Sequence, residues 1–284
     1  RGFGSTIGAD LSYTSNLANF SQINLATDIY VLVKKVGYNK VRCIVGHDSG
    51  VGPASWSTLI RPDVFTSLIT MSGPFTGPPS LIDNSKNYYL SETDEMDKDL
   101  AQLNIPRKHY QSYYRTESAN NDIMNCQQGL KSFIRAYYHY KSADWKNNNP
   151  FELASWNSKE LSKMPTYYVM NKDQNMAETV NNHMPSDDEI SNCKWLTENE
   201  IEVYVKEYSK TTFQGGLNWY RSGVDYENLQ KLSLFSDFKI DVPSLFISGQ
   251  KDWGIYQKPG ALDKMPSVMS KFKGVHLVEN AGHW

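Results

Sequence analysis

Three ionisable residues stand where chemistry could be done. Asp48 sits at the centre of "GHDSG", Asp252 in "SGQKDW", and His283 in "NAGHW". Gly46 and Gly50 flank Asp48, the pattern of a sharp turn that presents a nucleophile where tight packing favours residues without a Cβ. Each residue taken alone has a plainer reading. An Asp in a glycine turn is usually a turn former, Asp48 suits the cap of a following helix, and a lone His near a terminus is usually structural. Taken together they lie past three strand-like runs, in the order nucleophile, acid, histidine, and so read as a nucleophile served by an acid-oriented base.

A carboxylate in the nucleophile position restricts the reaction. With an ordinary pKa of about 3.9 it is ionised at neutral pH without help, which leaves His283 free to activate water in a later step. Attack on an ester or amide would give a mixed anhydride, an uphill product. Attack on a saturated carbon bearing a leaving group gives a stable alkyl ester instead, whose carbonyl the histidine can then expose to water. Two leaving groups fit: halide, which needs only N–H donors, and epoxide oxygen. An opening epoxide develops alkoxide character and calls for an acid such as tyrosine, with an ordinary pKa of about 10.

The elements that must position these residues follow from hydrophobic spacing. Leu25, Ile29, Leu32, Val33 and Val36 repeat at helical intervals and Gly37 suits the stop. Strands are expected at Val41–Val45 and Val64–Met71, with a helix through Gly52, Ala54 and Trp56 between them. Strand, turn, helix, strand is the order of a parallel α/β sheet. From about residue 77 to 237 the chain turns polar and rich in Asn and Tyr, with helical stretches and no convincing strand pairs. One helix carries Leu130, Phe133, Ile134, Tyr137 and Tyr138 on a face; another opens on a Thr197–Glu200 capping box. Strand character resumes at Leu245–Ile247 and Val275–Val278. The expected division is core 1–76, helical cap 77–237, and core 238–284.

"RGFGST", "GHDSG", "RPDVFTSLITMSGPF", "SGQKD" and "AGHW" resemble, in order and over nearly the whole chain, the landmarks of the α/β-hydrolase superfamily, and within it the epoxide hydrolases with an aspartate nucleophile. The resemblance implies Asp48 as nucleophile, Asp252 as the acid that orients the histidine, and His283 as base. It implies two cap tyrosines that hold the epoxide oxygen. Tyr220 in "GGLNWYRS" is one; Tyr110 in "RKHYQSYYRT" is the other, with Tyr113 as the alternative in a shifted alignment. Many aspartate-nucleophile relatives have Trp directly after the nucleophile, the indole that binds halide in haloalkane dehalogenases; Ser49 stands here, and its backbone N–H is the expected oxyanion donor. The family's His-Gly-x-Pro loop is missing, since none of the six histidines precedes a glycine.

The implied activity is conversion of an epoxide to a vicinal diol, with water as the second reactant and no metal or organic cofactor. The rival readings are a dehalogenase with an unusual halide site, and a binding protein that captures an apolar molecule under the cap without turnover. Trp219 and Trp253 are candidates for an apolar substrate pocket.

Bulk properties exclude other classes. With 29 basic and 31 acidic residues in 284, no charge excess points to nucleic acid or an anionic membrane. No apolar run approaches the roughly 18–20 residues of a membrane span. Three cysteines without C-x-x-C spacing argue against a disulfide framework or zinc site and favour a reducing, cytoplasmic compartment. The start at "RGFGST" without Met and the stop at "GHW" read as an internal piece of a longer protein. On that reading the His-Gly-x-Pro loop and early strands lie upstream, a helix follows His283, and residues 1–284 alone are unstable and inactive.

Overall fold

The glycine turn at Asp48 is built from a strand and a helix that meet almost without side chains between them. Strand β1 (Ile44–His47) runs into a single 3-10 turn at Asp48–Gly50 and then helix α2 (Val51–Ile60). A Cβ on Gly46 would lie 2.4 Å from the Gly50 carbonyl oxygen and 2.8 Å from Ala54 Cβ. Only glycine fits there. Gly50 is different: a Cβ on it would meet nothing within 4 Å among the described residues. Close packing therefore explains the first glycine of the pattern and not the second. Asp48 itself has φ 53°, a left-handed conformation uncommon for a residue with a side chain.

This computed structural model describes residues 1–82 and 91–284. Four parallel strands form the main sheet in the order β1, β2 (Leu68–Met71), β5 (Ser244–Gly249), β6 (Phe272–Val278). Helix α1 (Gln22–Lys35) packs against α2, opened by the Ser21 side chain accepting from the Asn24 amide, with Gly37 at φ 90° just past its end. Its apolar stripe is only partly used: Leu25 and Ala26 are buried, whereas Leu32 and Val36 are exposed. The first strand begins three residues later than its apolar run suggested, because Gly46 and His47 pair with Thr70 and Met71 while Val41 makes only an isolated bridge to Phe65. Likewise Val64 and Phe65 are buried but precede β2.

Between β2 and β5 lies a largely helical layer: α3 (Glu92–Leu100), α4 (Tyr110–Tyr114), α5 (Ala119–Met124), α6 (Gly129–Lys141), α7 (Ser158–Leu161), α8 (Met176–Asn181), α9 (Asp187–Asn192), α10 (Glu198–Thr211), α11 (Gln214–Ser222) and α12 (Tyr226–Ser233). The Thr197–Glu200 capping box opens α10 as expected. The layer also contains an antiparallel strand pair, β3 (Arg107–His109) with β4 (Val169–Asn171), contrary to the reading of no strand pairs. Arg-Lys-His carries no apolar alternation, so β3 left no signal. Helix α13 (Ala261–Val268) completes the core between β5 and β6.

Two apolar clusters hold this arrangement. One, around Trp56, Leu68, Phe246 and Met265, lies on the sheet. The other, dominated by tyrosines with Phe133, Ile134 and Leu217, fills the helical layer. Trp253, from the turn after β5, packs into the second cluster and stands edge-on to Phe151 at 5.1 Å. No helix among the described residues is long and apolar enough to cross a membrane.

Candidate active site

All three ionisable residues singled out from the sequence arrive at the carboxyl edge of the sheet: Asp48 after β1, Asp252 after β5, His283 after β6. In parallel sheets this is the edge where ligands bind. The turns carrying Asp252 and His283 meet through glycine, since a Cβ on Gly249 would lie 2.1 Å from the Gly282 carbonyl oxygen. His283 is buried, with Nδ1 3.1 Å from Asp252 Oδ2 and 3.3 Å from Oδ1. Its Nε2 lies 3.0 Å from Asp48 Oδ2, in a contact too bent to count as a hydrogen bond. The imidazole is thus fixed on one side by Asp252, while its other nitrogen stands beside Asp48 and borders the cavity.

On the other carboxylate oxygen, Asp48 Oδ1 accepts from the Ser49 amide at 2.5 Å and from the Ser49 hydroxyl at 2.8 Å. Burial pushes the Asp48 carboxyl up, but the Lys141 ammonium, His283 and Ser49 outweigh it and hold the group well below its ordinary range. For Asp252, burial is outweighed by His283 and the Ser72 hydroxyl, which bring it down to about 2. Burial and Lys141 push His283 down; Asp252 and Asp48 outweigh them, so its pKa is raised. The site holds two carboxylates, one lysine and two histidines, His47 and His283.

Above Asp48 lies a cavity of about 360 Å³ lined mainly by aromatic side chains. Tyr110 and Tyr220 both line it, their rings 5.9 Å apart. The Tyr110 hydroxyl donates to Gln257 Oε1 at 3.2 Å and accepts from Gln111 Nε2 at 3.2 Å. Burial, reinforced by the Asp48 charge and by neighbouring phenols, raises both tyrosines, so both phenols stay protonated at neutral pH. Tyr113 points elsewhere: its hydroxyl donates to Asp122 at 3.0 Å and it does not line the cavity.

Of the two tryptophans, Trp219 lines the cavity and Trp253 does not. Trp253 is buried between core and helical layer, where its indole packs on Phe151. Its place in a substrate pocket is corrected accordingly.

Three residues at the site went unnoticed in the sequence. Ser72, at φ 72° after β2, brings its hydroxyl within 3.0 Å of His283 Nδ1. His47 contacts the His283 carbonyl oxygen through Nε2 at 3.0 Å. Lys141, the last residue of α6, is buried with its ammonium 3.7 Å from Asp48 Oδ2. The first two lie inside the quoted motifs; Lys141 had no local signal, being one of many lysines on a polar stretch.

An Asp–His–Asp line at the edge of a parallel sheet, with Asp252 and His283 buried, Asp48 on a strand–turn–helix elbow and a helical layer above it, is the arrangement of an α/β-hydrolase fold. No family model matches the chain. Among solved structures it resembles an epoxide hydrolase from an endophytic Streptomyces, with a TM-score of 0.74 and 22% identity over 100% of this chain and 73% of that one. Among curated proteins, epoxide hydrolase B of Mycobacterium tuberculosis is 23% identical over 250 residues, 85% of this chain. Bifunctional epoxide hydrolase 2 of Mus musculus is 36% identical over 100 residues, 35% of this chain and 17% of that protein. The chain spans 66% of the length of the Mycobacterium protein. These relatives and solved structures are epoxide hydrolases, and the chain resembles them in sequence and in fold.

Proposed function

We propose that the protein hydrolyses epoxides to vicinal diols, through a covalent ester on Asp48. The observation that carries this reading is one cavity with an ionised Asp48 on its floor and the hydroxyl-bearing rings of Tyr110 and Tyr220 on its wall. An Asp48 oxygen attacks a ring carbon; the ring C–O bond breaks and its electron pair passes to oxygen, which takes a proton from a tyrosine. An alkoxide is about as basic as hydroxide, whose conjugate acid has a pKa of ~15.7, so a tyrosine raised above its ordinary value still serves as its acid. His283, oriented by Asp252, then removes a proton from water as its oxygen adds to the ester carbonyl. The Ser49 amide receives the developing oxyanion. Collapse releases the diol and restores the Asp48 carboxylate; the tyrosinate regains its proton from His283.

The two indoles that line the cavity speak against a halide site. Trp219 Nε1 donates to the Arg1 carbonyl oxygen at 3.2 Å and Trp284 Nε1 to the Tyr138 carbonyl oxygen at 3.1 Å, so neither offers its N–H to a leaving halide. The division into core 1–76, cap 77–237 and core 238–284 belongs to the same reading, and the two apolar clusters support it.

The test is a single turnover of an aryl epoxide by the full-length gene product in ¹⁸O-labelled water. Label should enter the Asp48 carboxylate and not the diol, and Asp48→Ala should form no diol. Label found only in the diol would refute the covalent step, since water would then have attacked the ring directly.

A further inference from the structure

The lysine beside the nucleophile is the feature that the mechanism above leaves unused. Lys141 is buried, lines the cavity, and among the described residues has Asp48 as its one carboxylate within 4 Å. Around it stand the rings of Tyr137, Tyr167, Tyr168 and Trp284, with centroids 5.5–5.9 Å from the ammonium. Their faces favour a cation there, but a buried ammonium is costly unless a charge compensates it.

That compensation changes during the reaction, on which this inference rests. In the resting site Asp48 supplies it. Once Asp48 becomes an alkyl ester its charge has passed to the tyrosinate, and with a neutral substrate no carboxylate remains within 4 Å of Lys141 among the described residues. A substrate that brings its own carboxylate would keep the ammonium paired from binding to product release. The distances allow this. The attacked carbon must come within about 3–3.5 Å of the attacking oxygen, and the ammonium is 3.7 Å from Asp48 Oδ2. A carboxylate joined directly to the epoxide ring therefore falls within reach of Lys141. Lysine has three N–H donors, enough to serve that carboxylate and Asp48 together, which offsets the repulsion between the two anions. Elsewhere the cavity wall includes the apolar side chains of Phe133, Ile134, Phe213 and Leu217.

We propose that Lys141 is a specificity-determining residue, and that the favoured substrate is a 2,3-epoxycarboxylate whose far ring carbon carries an apolar or aryl group. The carboxylate seats on Lys141, the apolar group lies among the side chains of α6 and α11, and the ring lies between Asp48 and the two tyrosines. The product is the corresponding 2,3-dihydroxycarboxylate, formed by the addition of water alone.

The experiment compares kcat/KM for 3-phenylglycidate, its primary amide and styrene oxide, using the full-length gene product and the variants Lys141→Met and Lys141→Arg. The acid-to-amide ratio is independent of how much of each preparation is folded and active. Wild type should favour the acid; Lys141→Met should lower the ratio by about 10–100-fold, the loss of one charged contact, and Lys141→Arg should recover part of it. An acid-to-amide ratio that Lys141→Met leaves unchanged would overturn the assignment, since a lysine serving only the fold or the chemistry slows both substrates alike. Turnover of styrene oxide and the amide without the acid would overturn it too, while leaving epoxide hydrolysis intact. Failure of all three epoxides would remove the reading of the function and this inference with it.

Discussion

Removing single tyrosine hydroxyls tests the leaving group most directly. Tyr110 and Tyr220 line the cavity above Asp48, whereas Tyr113, three residues along the same short helix from Tyr110, donates to Asp122 outside it. On the proposed mechanism, each cavity hydroxyl gains in the ring-opening transition state a hydrogen bond to an oxygen that is becoming anionic. Hydrogen bonds to charged groups contribute about 1.5–3 kcal/mol, and each 1.36 kcal/mol is tenfold in rate. Tyr110→Phe and Tyr220→Phe should therefore each slow ester formation by roughly 10–150-fold. The double variant should lose more than the product of the two, because the first single variant still has one acid and the double has none. Rapid-mixing single turnovers separate ester formation from ester hydrolysis, and the loss should fall on the first. Tyr113→Phe should stay within about threefold of wild type, having no part in the cavity. If the two cavity variants form ester at the wild-type rate, the oxygen of the leaving group is not where these hydroxyls are. Should Tyr113→Phe be as slow as they are, the assignment of Tyr110 over Tyr113 fails.

Other consequences concern charge and packing. In the proposed mechanism ester hydrolysis needs neutral His283, whose pKa in the resting site is raised by Asp252 and Asp48 against burial and Lys141. Esterification removes the Asp48 charge, so the acid limb of ester hydrolysis should lie below the pH at which His283 titrates in the resting protein; NMR of the imidazole against single-turnover rates checks the order. Asp252→Asn should slow ester hydrolysis by about 10²–10⁴-fold. Asp252 titrates at about 2 in the folded protein against about 3.9 unfolded. Its depressed value contributes about 2–3 kcal/mol of stability, fully present above pH ~4 and lost as the pH falls through about 2. Urea unfolding from pH 7 to 2 should show this fall in wild type and less of it in Asp252→Asn. Gly46→Ala, which sets a Cβ 2.4 Å from the Gly50 carbonyl, should cost about 1–3 kcal/mol, while Gly50→Ala should stay within about 0.5 kcal/mol; thermal unfolding distinguishes them.

What the sequence made legible was the part of the fold that repeats a local rule. Apolar runs bounded by turn residues located all four strands of the main sheet, but their ends shifted wherever pairing rather than hydrophobicity set the boundary. Gly46 and His47 are strand residues because Thr70 and Met71 lie opposite them, and nothing in "VGHD" says so. Asp48, Asp252 and His283 could be picked out because each follows one of those strands within a few residues. Tyr110 could not be separated from Tyr113 by local pattern, since both lie on one short helix and the choice depends on which side of it meets the cavity.

Lys141 marks the limit of that kind of reading. It ends a helix whose apolar face was legible, in a stretch where a lysine suits the C-terminal end of the helix dipole and solvent. What draws it inward is tertiary: the His283 amide donates to the Lys141 carbonyl oxygen at 3.2 Å, tying the end of α6 to the turn that carries His283. The same tie that seats His283 thus delivers an ammonium to Asp48. A neutral side chain at 141 could preserve that backbone contact, so the contact alone does not call for a charge. On the proposed mechanism the charge is accounted for by what it faces, which is Asp48 at rest and, once Asp48 is esterified, the carboxylate proposed for the substrate.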